Sequence, residues 1–287
     1  MNRLPEDEWD IEITPKNNLF DLHLKDTWHY RDLLLLLVRR DFVSFYKQTI
    51  LGPAWFFIQP IVTILIFNLI FNNLAGIKTG AVPAPLFYLA GTIIWNYFAD
   101  CLTKTSTVFK DNAAMMGKVY FPRLIMPLSI VLSNLVRFGV QFLLFIALLL
   151  FYLAKGKVFM PNAVILLFPV LILIIAALGL GFGMIISAVT TKYRDLAFVV
   201  TFGVPLLMYT TTVVYPLSTA VLKYPKYSWL IKFNPVTPVI ETFRYGFFGS
   251  GSFSWALLGY SGAITAFILL LGIIIFNKVE KTFVDTV

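Results

Sequence analysis

The stretch "RRDFVSFYKQTILGPAWFFIQP", residues 39–60, joins two kinds of surface. Up to Gln48 it is basic and amphipathic. Then comes Leu51-Gly52-Pro53, and from Trp55 onward the chain is almost purely apolar. Placed on a helix, Leu34, Leu35, Val38, Phe42, Phe45, Tyr46 and Thr49 fall mainly on one face. Arg40, Asp41, Ser44, Lys47 and Gln48 fall on the other. This pattern predicts an amphipathic helix over 33–52 that lies in the membrane interface. Glycine tolerates a sharp turn, and the residue before proline is biased away from helical dihedrals, so Gly52-Pro53 ends that helix. Pro53 suits the first turn of the next one, where its missing N–H is harmless. The simpler alternative is that the helix merely anchors the chain.

Upstream, residues 1–32 read as an N-terminal cytoplasmic segment. "MNRLPEDEWDIEITPKNN" is acidic and polar, without the apolar run of a signal peptide. Trp28 and Tyr30 then suit the headgroup region. Downstream, the composition is that of a membrane protein. Of 287 residues, 59% are hydrophobic and 13% charged, against about 45–50% and about 25% in soluble domains. Runs of about 20 apolar residues, the length that spans a bilayer, occur at about 55–74, 84–103, 127–153, 162–189, 196–214 and 254–276. The expectation is an all-α integral membrane protein with six transmembrane helices per subunit, occupying 53–287. The fifth span is the weakest, being short and interrupted by Gly203-Val204-Pro205.

Orientation follows from Lys and Arg near the span ends. Arg39, Arg40 and Lys47 precede the first span. Lys104, Lys110, Lys118 and Arg123 lie between spans two and three. Lys192 and Arg194 follow span four, and Lys278 and Lys281 follow span six. Both termini are therefore expected in the cytoplasm. The same bias accounts for the net charge of +8 without nucleic acid. Residues 215–253 are too apolar for a simple loop and too broken by proline for a span. Short re-entrant helices in the outer leaflet fit them, since non-helical backbone at that depth must be buried in protein or line a water-filled path. A peripheral hairpin on the membrane is the alternative. Glu241 and Arg244 are placed to share a helix face and pair.

Catalytic chemistry is missing from the pattern. No G-x-x-x-x-G-K-[ST] phosphate loop is present, nor H-E-x-x-H or G-x-S-x-G. His23 and His29 stand outside any cluster of metal-ligand spacing, so no metal site is expected. The one cysteine, Cys101, excludes an intrachain disulfide. Within the spans, Arg137 falls roughly 10 residues into the third, near mid-membrane at about 1.5 Å per residue. Its insertion costs at least about 2.5–3.5 kcal/mol, so it needs a partner, a cavity or an anionic ligand. Asp100 is a possible partner, and Gln141 lies one turn away on Arg137's face. Gly179-x-x-x-Gly183 permits close helix packing. Tyr88, Trp95, Tyr97 and Phe98 crowd one span. Tyr88 and Trp95 share a face, and aromatic rings there are compatible with a sugar path or with an interfacial belt.

Four segments together carry a resemblance. "YKQTILGPAWFFIQP" resembles the Tyr-x-x-x-x-Leu-Gly-x-x-Trp-x-x-x-x-Pro opening of ABC-2 type permeases that export polysaccharides, through Tyr46, Leu51, Gly52, Trp55 and Pro60. "KVYFPRLIMPL" is similar to that family's cytoplasmic loop before span three, with Phe121, Pro122, Arg123 and Pro127. "TTKYRDL" resembles its loop after span four, with Tyr193, Arg194 and Asp195. "NPVTPVIETFRYGFFG" resembles its outer segment, with Asn234, Pro235 and a later Arg244. Residues 1–30 fall outside the resemblance.

The resemblance implies a homodimer in a bacterial inner membrane, with two copies of a separate P-loop ATPase carrying ATP and Mg; this chain would need no cofactor and catalyse nothing. Its implied substrate is an undecaprenyl-diphosphate-linked polysaccharide, O antigen first, with teichoic acid, capsule, or a non-glycan lipid or drug as alternatives. A non-transporting scaffold for glycan assembly is the reading from another class. Arg39, Arg40, Tyr46, Lys47, Gly52, Pro53 and Trp55 become candidates for a substrate gate. Tyr88, Trp95, Phe98, Arg137 and Gln141 are channel candidates. Lys110, Phe121, Pro122, Arg123, Tyr193, Arg194 and Asp195 are candidates for coupling to the ATPase. Asn234, Pro235, Glu241 and Arg244 would belong to the outer re-entrant cap.

Overall fold

The computed structural model describes residues 28–47, 52–116, 121–193, 195–223 and 225–284. Residues 1–27 of the expected N-terminal segment 1–32, the loop around Lys118, and Gln48, Thr49, Leu51, Arg194 and Asp285 lie outside them. So do the side chains of Phe45, Tyr46, Pro53, Glu280 and Lys281. Among the described residues the chain is helical, with no strand. Helix α1 (Arg31–Tyr46) precedes a short 3-10 turn, Gly52–Ala54, and α2 (Trp55–Phe67), which widens into π-type turns over Asn68–Leu74. Then follow α3 (Ala84–Ser106), the short α4 (Val108–Asp111) and α5 (Ala113–Met116), and α6 (Ile125–Ala154). After these come α7 (Phe168–Lys192, led by a 3-10 turn at Ala163–Leu167) and α8 (Leu196–Leu207). The short α9 (Leu217–Lys223) and α10 (Ser228–Lys232) lead to α11 (Val236–Phe248) and α12 (Trp255–Val284).

Four of these segments are long and apolar enough to cross a membrane: Trp55–Leu74, Ile125–Ala154, Ala163–Lys192 and Trp255–Val279. Helix α3 has 23 residues but carries Thr92, Asn96, Asp100, Thr103, Lys104 and Thr105. Leu196–Thr210 is apolar but shorter.

Helix α7 packs most extensively, against α3 and α12. Its glycines explain how. A Cβ on Gly183 would meet Thr105 Cβ at 2.5 Å, and one on Gly179 would meet Cys101 Cβ at 2.8 Å. On the other side, a Cβ on Gly181 would meet Leu269 Cα at 2.9 Å, and one on Gly272 the Gly181 carbonyl oxygen at 2.7 Å. The expected Gly179-x-x-x-Gly183 contact is therefore part of a two-sided seam. Close backbone approach of this kind replaces the hydrophobic drive that lipid cannot supply between apolar helices.

The bundle has two ends. At one, α1 lies along α6 beside the C-terminal ends of α3, α7 and α12. Leu37, Val108, Phe109, Phe121, Ile125, Met126, Met184 and Phe276 form a buried cluster there. Phe109 stacks on Phe276 with centroids 4.5 Å apart, and Thr190 donates to the Ser106 carbonyl at 2.7 Å. At the other end α11 sits against α3 and the Ala163–Leu167 turn. Phe145, Phe168, Phe243 and Phe247 interlock there with ring centroids 4.7–6.0 Å apart, the range of favourable aromatic pairs.

Helix α1 is rotated from the face read in the sequence. Leu37 is the buried residue, with Tyr30, Leu33 and Leu34 packed beside it, while Leu35 and Leu36 are exposed. The unbroken leucines at 33–37 satisfy several phases at once. Packing against α6 and Phe276 selects the stripe 30, 33, 34, 37, and Asp41 is the next position on it.

Candidate functional site

At the α1 end, a cleft of about 250 Å³ opens between α1, the start of α2, α3 and α6. Asp41, Phe42, Ser44, Phe56, Lys104, Ile130, Ser133, Asn134 and Arg137 line it. Helical spacing builds its polar wall. Asp100 and Lys104 are one turn apart on α3, and Asn134 and Arg137 are one turn apart on α6. Arg137 Nη1 donates to Asp100 Oδ2 at 3.1 Å, and the guanidinium also stands 5.6 Å from the Phe56 ring centroid. Lys104 Nζ donates to Asn134 Oδ1 at 2.9 Å, and Asn134 Nδ2 points to Cys101 Sγ at 3.8 Å. Arg137 thus has the carboxylate partner that its depth requires. Gln141 is buried farther along α6.

The other gate candidates lie around this cleft. Arg39, Arg40 and Lys47 are exposed, and Arg40 forks onto its neighbour Asp41 at 2.8 and 3.0 Å. Gly52 has φ +49°, a left-handed conformation that a residue with a Cβ adopts reluctantly. Trp55 is exposed, and Phe42 stacks on Phe56 at 5.9 Å. Tyr46 is the last residue of α1. The aromatic channel candidates sit inside the helical bundle. Tyr88, Trp95 and Phe98 are buried, Tyr88 among Phe67, Phe71 and Phe87, and Trp95 against Phe98 at 5.3 Å. Of the coupling candidates, Phe121 is built into the cluster with Phe109 and Phe276. Pro122 and Arg123 are half-buried, and Lys110, Tyr193 and Asp195 are exposed.

The opposite end is held by α11. Asn234 Oδ1 caps it by accepting from the Val236 N–H at 3.1 Å, and Asn234 Nδ2 donates to Thr210 Oγ1 at 3.1 Å. Ser261 donates to the Pro235 carbonyl at 2.6 Å. Glu241 and Arg244 pair at 3.5 Å, with side chains only 6% and 2% exposed. Arg244 also donates to the carbonyls of Thr212, Val213 and Phe87 and lies over the Phe87 ring. Glu241 Oε2 accepts from Ser252 N–H and Oγ–H at 3.4 and 3.2 Å. One buried ion pair therefore ties α11 to α3, to the chain after α8, and to the turn before α12.

Lys104, Ser133, Asn134 and Asp41 were not read from the sequence as site residues, Lys104 serving only as an orientation charge. The spacings 100/104 and 134/137/141 were visible as polar stripes, but nothing in one chain said that the stripes meet.

A model of the ABC-2 type transporter family matches residues 32–248, from α1 through the end of α11. The chain belongs to the ABC-2 type transporter family. The match covers the cleft, the Glu241–Arg244 pair and the Phe109 cluster except Phe276. This ABC-2 protein is also similar to curated relatives. It is 28% identical over 225 residues to the O-antigen export system permease protein RfbA of Myxococcus xanthus, covering 78% of this chain and 84% of that one. Two proteins of the same name from Klebsiella pneumoniae are 28% and 26% identical, each over 88% of this chain and 94% of the relative.

Proposed function

We propose that this chain is the membrane permease of an exporter that carries a lipid-linked polysaccharide, O antigen first, across a bacterial inner membrane. The observation that carries the reading is the near end-to-end similarity to O-antigen export permeases, over 94% of the length of two of them. In this reading the subunit spans the membrane six times and has both termini in the cytoplasm. Helices α3 and α8 join the four apolar segments. The polar residues of α3 do not oppose a span, because Asp100 and Lys104 turn toward α6 and are partnered there. Helix α1 lies in the cytoplasmic interface, and α9 to α11 form the outer re-entrant cap.

The exporter is a homodimer driven by two copies of a separate ATPase, which holds ATP and Mg. That subunit pushes on α4, α5 and the turn at 193–196. Support comes from the packing there: Phe109 and Phe121 bury against Phe276 and Met184, so force on the loop reaches α7 and α12 without slack. Exposed Arg39, Arg40 and Lys47 draw the substrate's diphosphate to the mouth of the cleft. Deleting the gene in the source bacterium tests the reading. Surface O antigen should vanish while lipid-linked glycan accumulates inside, and native pull-downs should recover a P-loop ATPase. Normal surface glycan in the deletion strain sinks it.

A further inference from the structure

The cleft beneath α1 holds more polar chemistry than its helix packing uses. Asn134 is 2% exposed, and Ser133 Oγ is buried on the wall with no hydrogen-bond partner among the described residues. The Lys104 ammonium has three N–H donors; the described residues show one of them used, on Asn134 Oδ1. An unpartnered hydroxyl and a half-buried ammonium with donors to spare cost free energy unless an acceptor visits them. Arg137 stands on the same wall, already paired with Asp100. Phe42 and Phe56, stacked at 5.9 Å, line the cleft beside these donors. Donors beside an aromatic wall suit a phosphorylated head on a hydrocarbon tail.

Asp41 works against such a ligand. It sits on the inward stripe of α1 and lines the cleft, and Arg40 forks onto it at 2.8 and 3.0 Å. A carboxylate there occupies the field that an incoming anion needs, so an anion that enters must displace its influence.

We propose that this cleft is a binding site for the diphosphate of the carrier lipid, with Lys104 and Ser133 as its donors and Asp41 as the carboxylate the ligand displaces. The proposal rests on the export reading for the source of the diphosphate, and it names residues beyond the exposed arginines of α1.

The test uses the full chain with its native partner in phosphatidylcholine nanodiscs, and farnesyl diphosphate and farnesol as probes. Wild type should bind farnesyl diphosphate and leave farnesol unbound. Lys104→Met should weaken binding by about tenfold or more, the loss of one charge-assisted hydrogen bond, and Lys104→Arg should restore most of it. Ser133→Ala should weaken it several-fold, and Asp41→Asn should tighten it. Unchanged affinity in both Lys104→Met and Ser133→Ala overturns the site. Such a result leaves the export reading intact, because that reading is decided by surface glycan in the deletion strain. In nanodiscs containing phosphatidylglycerol, farnesyl diphosphate should still bind. Full displacement by phosphatidylglycerol overturns the assignment to the carrier lipid.

Discussion

Removing the Glu241 carboxylate tests how the α11 end is held. Arg244 is 2% exposed on its side chain, and Glu241 is its only acidic partner among the described residues. Breaking a buried pair by deleting one partner costs about 3–5 kcal/mol, because the other charge is left uncompensated. Two features hold Glu241→Ala to the low end of that range. The ion-pair distance is a long 3.5 Å, and the carbonyls of Thr212, Val213 and Phe87 keep accepting from the guanidinium. Against this, Glu241→Ala also removes the acceptor for Ser252 N–H and Oγ–H, a loss of about 1 kcal/mol. The expected destabilisation is therefore about 3–4 kcal/mol. Glu241→Gln keeps an oxygen for Ser252 and should cost about half as much. The double variant Glu241→Leu with Arg244→Met buries no charge and should be less destabilised than Glu241→Ala. Reversible unfolding in mixed micelles, read by tryptophan fluorescence, measures all three. A Glu241→Ala protein within about 0.5 kcal/mol of wild type would refute the reasoning, since the three carbonyls would then suffice alone.

Three further outcomes are expected. Gly183→Ala and Gly181→Ala drive a Cβ to 2.5 Å of Thr105 Cβ and 2.9 Å of Leu269 Cα, and each should cost about 1–3 kcal/mol. Gly262→Ala meets nothing within 4 Å and should stay within about 0.5 kcal/mol of wild type in the same titration. Asn234→Ala loses the α11 cap and the Thr210 bond and should cost about 1 kcal/mol, whereas Asn234→Asp, which keeps the capping oxygen, should recover part of it. Phe109→Leu keeps apolar volume but removes the 4.5 Å stack on Phe276, worth about 0.5–1.5 kcal/mol; hydrogen exchange should rise in α4 and in the last turns of α12 and not in α11.

The sequence showed some of this and hid the rest, for physical reasons that differ by residue. Glu241 and Arg244 were legible because a three-residue spacing on one helix fixes the contact before any tertiary structure exists. Asp100 was the acidic residue nearest to Arg137's reach, so the expense of a mid-membrane arginine pointed to it. The inward face of α1 was hidden, since leucines at 33–37 carry no phase and only contact with α6 and Phe276 supplies one. That same rotation put Asp41 on the cleft. The setting of Tyr88 was hidden as well. Helix α3 is buried on nearly every side, and an element with core all round gives no periodicity from which to tell packing from path.

Two polar wells among the described residues are built differently, and this argues for different roles. At Arg244, three carbonyls, a carboxylate and an aromatic face converge on one guanidinium and leave only its Nε without a partner among the described residues. An arrangement so nearly closed favours a fixed geometry for α11. At Lys104 the partners are fewer, the hydroxyl of Ser133 is unpartnered among the described residues, and a cleft of about 250 Å³ separates the donors from α1. An incomplete polar wall is costly in a resting protein and useful in one that must bind and release an anion many times. If α11 is the part that stays and the α1 cleft the part that binds, charge-removing variants at the two ends should differ in effect. Asp41→Asn should slow release of farnesyl diphosphate, and Glu241→Gln should lower stability while leaving farnesyl diphosphate affinity at the wild-type value.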